Sequence, residues 1–291
     1  MSRGRPAVRP ALGLAVLGAL CCTGCPESKP VEVPDAGPPP TEPILPSPTA
    51  SAEAAALPAW AQRLPKVEPQ VKLGDRVWAT VPQPGTAMAT AAIFTVEGIH
   101  DGLLSLTDTM GQGVSGVSPA VVHRAGKRGK LAEGDVVLCY AFTLPGILAR
   151  VAELEGGKEI QVRYDWAGQT KEAAIFHAEP PREGIKPLAF VGFPKAGATS
   201  RGLLVALTES HGWIRTSSGH IEVHERDTIS ALPLPANKPE VGTPVRAYAW
   251  TTGYRRGVVA AELEPGLRYR VKLDGNLGER DYFFSSLLPS R

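Results

Sequence analysis

From about Val71 to the end of the chain, short runs rich in Val, Ile, Leu and aromatic residues alternate with Gly, Pro, Asp and Asn. Arg76-Val-Trp-Ala-Thr-Val81, Ile160-Gln-Val-Arg-Tyr164 and Tyr269-Arg-Val-Lys-Leu273 are typical. Runs of this length between turn residues predict strands at all-β spacing. No long stretch keeps apolar residues on a helical period. Residues 26–69 lack the pattern and are rich in Pro, Ala, Glu and Ser. Such a segment buries too little apolar surface to offset its ordering entropy, so it is predicted to be a disordered linker. Proline stiffens it towards polyproline II, with a reach of up to ~120 Å at ~3.1 Å per residue. A short helix is expected over Ala52–Leu57, ending before Pro58.

The strand region repeats itself. Gly134-Asp-Val-Val-Leu-Cys-Tyr140-Ala-Phe142-Thr lines up with Gly242-Thr-Pro-Val-Arg-Ala-Tyr248-Ala-Trp250-Thr. Ala152-Glu-Leu-Glu-Gly-Gly157 lines up with Ala261-Glu-Leu-Glu-Pro-Gly266 after one inserted residue, and Val162, Asp165 and Pro180 meet Val271, Asp274 and Pro289. Self-similarity over this length governs the fold. Segments 71–125 and 185–233 form a second, weaker pair that shares Gly102-Leu-Leu104 and Gly202-Leu-Leu204. The expected architecture is two duplicated halves, 70–180 and 181–291, each a pair of small β-modules. A module of about 50 residues has a marginal core by itself, so the modules are expected to pack as rigid pairs.

The N-terminus adds location. Arg3, Arg5 and Arg9 precede an apolar run from Ala11 to Cys22, too short to span a bilayer as a mature helix. Thr23-Gly24-Cys25 then supplies small residues before a cysteine. Residues 1–25 thus read as a secretory signal, and they resemble the lipobox of bacterial lipoproteins, with Cys22 where leucine is usual. The resemblance implies acylation at Cys25 and a chain held in the cell envelope by a lipid anchor. Pro26 is not the aspartate associated with inner-membrane retention, so the outer membrane is expected. An ordinary cleaved signal and a soluble periplasmic chain is the other reading.

Charge and cysteine content narrow the partners. Lys and Arg number 31 and Asp and Glu 29. Three of the arginines and none of the acids lie in 1–25, leaving 28 against 29 and no basic excess for nucleic acid. Three of the four cysteines also lie there, so Cys139, in an apolar run, is read as a buried strand thiol with no internal disulfide.

Val245-Arg-Ala-Tyr-Ala-Trp250, Tyr254-Arg-Arg-Gly257 and Tyr269-Arg-Val-Lys-Leu-Asp274-Gly275, with Val162-Arg-Tyr164-Asp165-Trp166-Ala-Gly168 in the other copy, resemble SH3-like small barrels of the Tudor/agenet type. The resemblance covers roughly 130–180 and 238–290. It implies an all-β chain of tandem SH3-like barrels after the linker. It also implies aromatic clefts at the barrel ends, formed by Phe142 and Trp166 in one copy and by Trp250 and Tyr254 in the other. Cation–π attraction is the chemistry of such clefts. Gly275 stands where a further cage aromatic would be. Tyr140, Tyr248, Phe176 and Phe284 are expected in the core.

Other motifs are weaker. His220-Ile-Glu222-Val-His224 in a strand puts Ile221 and Val223 on the core face and His220, Glu222 and His224 outside. Neighbours two apart are ~6.5–7 Å apart and the two histidines ~13 Å, too far to close easily on one zinc. A metal site completed by His211 and a solvated strand face both remain open. Gly111-Gln-Gly-Val-Ser-Gly116 matches a dinucleotide fingerprint, but Pro119 and strand-like residues follow where a helix is required, so a hairpin is expected. Glu153/Glu155 and Glu262/Glu264 recur between copies as an exposed face. No catalytic triad order, zinc-protease motif or phosphate loop is present. The sequence is therefore read as a non-catalytic, cofactor-free binding or scaffolding protein of the envelope. Its expected partners are an envelope protein, a peptide or cell-wall glycan. Peptidoglycan binding and a metal-dependent enzyme or carrier are the alternatives.

Overall fold

The computed structural model describes residues 57–83, 85–126, 131–141, 144–154, 160–175, 177–235, 238–249, 252–275 and 277–290. Cys25, the signal and most of the linker lie outside the described residues. A short helix, α1 (Ala59–Gln62), opens the described part. Twenty strands follow among the described residues. The first sheet holds β1 (Arg76–Pro82), β2 (Ala89–His100), β3 (Leu103–Asp108), β4 (Gly113–Val117) and β5 (Val122–Arg124). The second holds β6 (Val136–Ala141), β7 (Leu144–Glu153), β8 (Ile160–Trp166), β9 (Gln169–Ile175) and β10 (Ala178–Glu179). In the third are β11 (Phe190–Lys195), β12 (Ala198–Leu207), β13 (His211–Arg215), β14 (Ile221–Glu225) and β15 (Ser230–Ala231). β16 (Pro244–Ala249), β17 (Gly253–Glu264), β18 (Arg268–Leu273), β19 (Glu279–Phe283) and β20 (Leu287–Pro289) make the fourth.

All four sheets share one plan. Each is an antiparallel meander of four strands whose first strand also pairs with the fifth, in the order 4-3-2-1-5. The equivalence reaches single residues. Gly74 N donates to Val96 O and Val96 N to Asp75 O; Gly134, Val151 and Asp135 repeat this pair of bonds, as do Leu188, Leu204 and Ala189, and Gly242, Val259 and Thr243. Directly after Val96, Val151, Leu204 and Val259 the second strand of each sheet bulges. A bulge bends the strand and increases its twist, which curls the long second strands β2, β7, β12 and β17. Across the next ladder these four residues face Leu106, Val162, Ile214 and Val271. Val77, Val137, Val191 and Val245 fill the matching place on each first strand, all fully buried. Burying such a side chain contributes about 1.5–3 kcal/mol.

The sheets do not stand as separate modules. Glu179 Oε2 accepts from Gly126 N at 2.7 Å, and the Trp78 and His177 rings meet edge-on at 5.2 Å, joining the first sheet to the second. Arg150 of β7 donates to Gly266 O, and Thr170 to Glu264, joining the second to the fourth. Ser200 bonds Tyr248, joining the fourth to the third. His123 Nε2 reaches Val205 O at 2.7 Å and Arg215 Nε reaches Ala89 O at 3.2 Å, joining the third to the first. These seams close a ring in the order first, second, fourth, third, a four-bladed β-propeller arrangement. One cluster of buried residues includes Val77, Leu138, Val205 and Val245, one from each sheet. Smaller clusters lie within the second and third sheets.

The expectation of tandem SH3-like barrels in two duplicated halves is corrected by this architecture. No hydrogen-bonded ladder joins the fourth strand of a sheet to its fifth among the described residues, so each sheet stays open rather than closing on itself. The physical reason lies in the small size of each sheet, which leaves apolar residues that only its neighbours cover. The repeat read between 134–157 and 242–266 falls on the second and fourth sheets.

The linker expectation also changes at its C-terminal end. Residues 57–69 include α1, which begins after Pro58, and Trp60 is buried with its carbonyl accepting from Trp213 Nε1 at 3.1 Å. An indole of this size gives the segment enough apolar area to pack on the third sheet. Residues 52–56 of the expected helix lie outside the described residues.

Candidate functional site

The ring brings the tips of three sheets together around one cavity of about 610 Å³. Its apolar wall comes from Ile147, Leu148, Phe190 and Leu203, and its polar wall from Asp165, Arg201, Arg215, Tyr248 and the hydroxyls of Ser217, Ser218, Ser285 and Ser286. An apolar cleft with a few convergent polar groups is the usual form of a binding site.

Arg201 is the centre of the polar wall. It sits in β12 just before the apolar run Gly202–Ala206, so its backbone is fixed by the core. Its guanidinium donates to Ser285 O and, at 3.4 Å, to Ser286 Oγ, and it lies 5.1 Å from the centre of the Tyr248 ring. Tyr248 is held in turn by Ser200 at 3.2 Å and by the Tyr254 ring at 5.1 Å. The Tyr254 hydroxyl is buried and faces Arg201; burial raises its pKa above the ordinary phenol value, with the nearby arginines opposing. Asp165 is the last residue but one of β8, next to the hairpin turn at Ala167-Gly168. Burial raises its carboxyl above the usual range, against a backbone hydrogen bond from Gly168 and the charges of Arg201 and Arg268. The site therefore presents a clamped cation, a carboxyl whose pKa burial raises, hydroxyls and an apolar floor. No histidine or cysteine lines it among the described residues.

The sequence candidates are only partly gathered here. Tyr254 packs against the cavity's Tyr248. Asp165 and Ala167, flanking Trp166, line the cavity, while the side chain of Trp166, together with Phe142 and Trp250, lies outside the described residues. Phe284 is buried, as expected, whereas Tyr248 is only half-buried and faces the cavity. Arg201 is not among the sequence candidates. Its signal was a charged residue entering an apolar strand, in Thr199-Ser-Arg-Gly-Leu-Leu204.

The histidine cluster lies apart on the third sheet. Ile221 is buried and Val223 packs on the core, as the alternation predicted. Glu222 bonds Lys195 at 2.5 Å and His224 at 3.3 Å, and the His224 ring packs 4.7 Å from Phe193. Burial pushes the Glu222 carboxyl up, but Lys195 and His224 outweigh it and hold it below its ordinary value. His211 turns to Ser210 and His220 is exposed in a bridge to Met88. Among the described residues no three His, Cys, Asp or Glu side chains are grouped to hold a metal. Cys139 is fully buried, and burial pushes its thiol up to about 12. Glu262 caps Gly266 N and Glu264 serves the seam to Thr170, so these two acids have structural partners. Gly111–Gly116 spans the turn from β3 into β4, where Asp108 accepts from Met110 N and Gln112 N.

No family model matches the chain. No curated protein matches it either. Among the described residues no helix is long and apolar enough to cross a membrane.

Proposed function

We propose that this is a non-catalytic binding protein of the bacterial cell envelope, held at the membrane through acylated Cys25 and carrying its propeller on a proline-rich stalk. The signal-like N-terminus and the Thr23-Gly24-Cys25 motif support the location, with the outer membrane as the membrane named by Pro26. One observation carries the binding role: the cavity where Arg201, Tyr248 and Asp165 converge above an apolar floor. Its ligand is an extended segment of a partner protein. The guanidinium and hydroxyls would take main-chain carbonyls, and the apolar floor a side chain. Clamping Arg201 before the ligand arrives lowers the ordering entropy of binding.

The test is photo-crosslinking in cells from an unnatural residue at position 217, an exposed position on the cavity rim, with mass spectrometry of the adduct. A single protein adduct that disappears when Ser218→Trp blocks the mouth supports the reading. A muropeptide adduct would replace the protein partner with cell-wall glycan. Adducts unchanged by the blocking substitution would remove the cavity from binding altogether.

A further inference from the structure

A second cleft, of about 800 Å³, opens on the seam between the third and fourth sheets. One wall is the β11–β12 hairpin, Ala196 to Thr199, with Ser230 to Pro233; the other is Arg246, Thr252, Tyr254, Arg255 and Arg256. Arg246, Arg255 and Arg256 border it, and among the described residues no acidic residue does.

The placement of these arginines is costly without a counter-ion. Arg246 in β16 pairs directly with Arg256 in β17, and Tyr248 with Tyr254 two positions on, so the two arginines share one face of the sheet. Like charges directly opposite on a sheet repel. None of Arg246, Arg255 and Arg256 has an ion pair among the described residues. Arg246 Nε is moreover shielded from solvent with no hydrogen-bond partner. A buried, unmatched donor of a charged group is expensive to leave unpaired. Thr199 and Thr252 add hydroxyl donors at the rim, and the Tyr254 ring supplies a flat wall.

We infer that this cleft binds a multiply charged oxyanion of the phosphate class. A guanidinium fork matches phosphate and carboxylate geometry alike. Charge decides between them, because one carboxylate would leave one of the two facing cations, Arg246 and Arg256, uncompensated. Residues 26–291 carry 28 basic against 29 acidic side chains, so there is no basic excess to favour a phosphate polymer tracking an extended surface. The volume admits more than a bare ion, such as a phosphate with a sugar or glycerol attached. This inference stands apart from the cavity around Arg201 and does not depend on it.

The test uses the full chain with Cys25→Ser, which carries no acyl group, titrated with inorganic pyrophosphate by calorimetry. Binding is expected in the parent, weaker at high salt, undisturbed by equal acetate. Arg246→Gln and Arg256→Gln are each expected to weaken it by at least about tenfold, the effect of one charge-assisted hydrogen bond. Unliganded Arg256→Gln should fold with no loss of thermal midpoint, since it relieves repulsion. Flotation with phosphatidylglycerol vesicles, absent with phosphatidylcholine and lost in Arg246→Gln, would make a lipid headgroup the source. Pyrophosphate binding without flotation would make it a soluble phosphate. Failure to bind either probe, or binding undiminished in both folded variants, would overturn the site.

Discussion

The Arg150 guanidinium lies 4.3 Å from the centre of the Phe284 ring, pinning the second sheet to the 3₁₀ turn that precedes β20 in the fourth. Both side chains are buried, and Arg150 also donates to Gly134 O and Gly266 O. A desolvated cation over an aromatic face is worth about 2 kcal/mol, and each carbonyl left unmatched costs about 1–3 kcal/mol. Part of that total returns because the guanidinium no longer needs desolvation. Arg150→Met should therefore lower the unfolding free energy by about 2–4 kcal/mol in urea denaturation. Loss below 1 kcal/mol would mean the seam is held by apolar packing alone.

Leu188 occupies the place that Gly74, Gly134 and Gly242 take in the other sheets, with φ of +66° against +78°, +86° and +90°. The left-handed backbone costs a residue with a Cβ about 1–2 kcal/mol. Leu188 is nevertheless buried in the shared core, and removing a buried leucine costs about 3–5 kcal/mol. Burial wins, so Leu188→Gly should destabilise by about 1–3 kcal/mol despite relaxing the backbone. A stabilised variant would show the leucine to be poorly packed.

Leu188 also explains how far the fold could be read from the chain. Strand content and the repeat between the second and fourth sheets were legible, since Gly134-Asp135 and Gly242-Thr243 begin both units alike. The match to the third sheet was hidden because a leucine replaces the glycine at its start. The shared Gly-Leu-Leu misleads: Gly102 precedes β3 in a turn, whereas Gly202 lies inside β12. The ring itself depends on seams made by Arg150, Arg201, Arg215 and His123, whose partners are 80 or more residues distant for their key contacts. No local pattern encodes such pairings. The same holds for the cavity, assembled from three sheets, of which aromatic content pointed only to the neighbourhood of Trp166 and Tyr254.

Two buried groups contribute to the pH dependence of stability. The Cys139 thiol has its pKa raised by burial from 9.0 to about 12. The unfolded chain loses this proton first, so stability is intact below pH 9 and falls as pH rises towards 12. Three units correspond to about 4 kcal/mol at the upper end. Cys139→Val should flatten that fall in urea titrations between pH 8 and 11. Native protein should resist iodoacetamide at pH 8 and react on unfolding. On the acid side, burial lowers the His123 pKa, partly offset by its bond to Val205 O. The unfolded chain protonates first here, so stability is lost as pH falls below about 6.5. His123→Gln, which keeps a donor and does not titrate, should remove that loss.

Gly253 sits where β17 crosses the third sheet, with φ of +69°, and a Cβ there would meet Thr199 O at 2.6 Å. Gly275 has a similar φ of +72° with nothing within 4 Å of the same added atom. Backbone strain is common to both sites and costs about 1–2 kcal/mol. Only at Gly253 must the β12 backbone also move, because a carbonyl cannot swing aside as a flexible side chain would. Gly275→Ala should therefore cost about 1 kcal/mol, and Gly253→Ala about 3 kcal/mol or more, by chemical denaturation. Thr199 and Thr252 border the arginine-lined cleft, so Gly253→Ala should also weaken pyrophosphate binding while Gly275→Ala leaves it unchanged. Equal losses of stability in the two variants would mean the third and fourth sheets do not approach as closely as Gly253 requires.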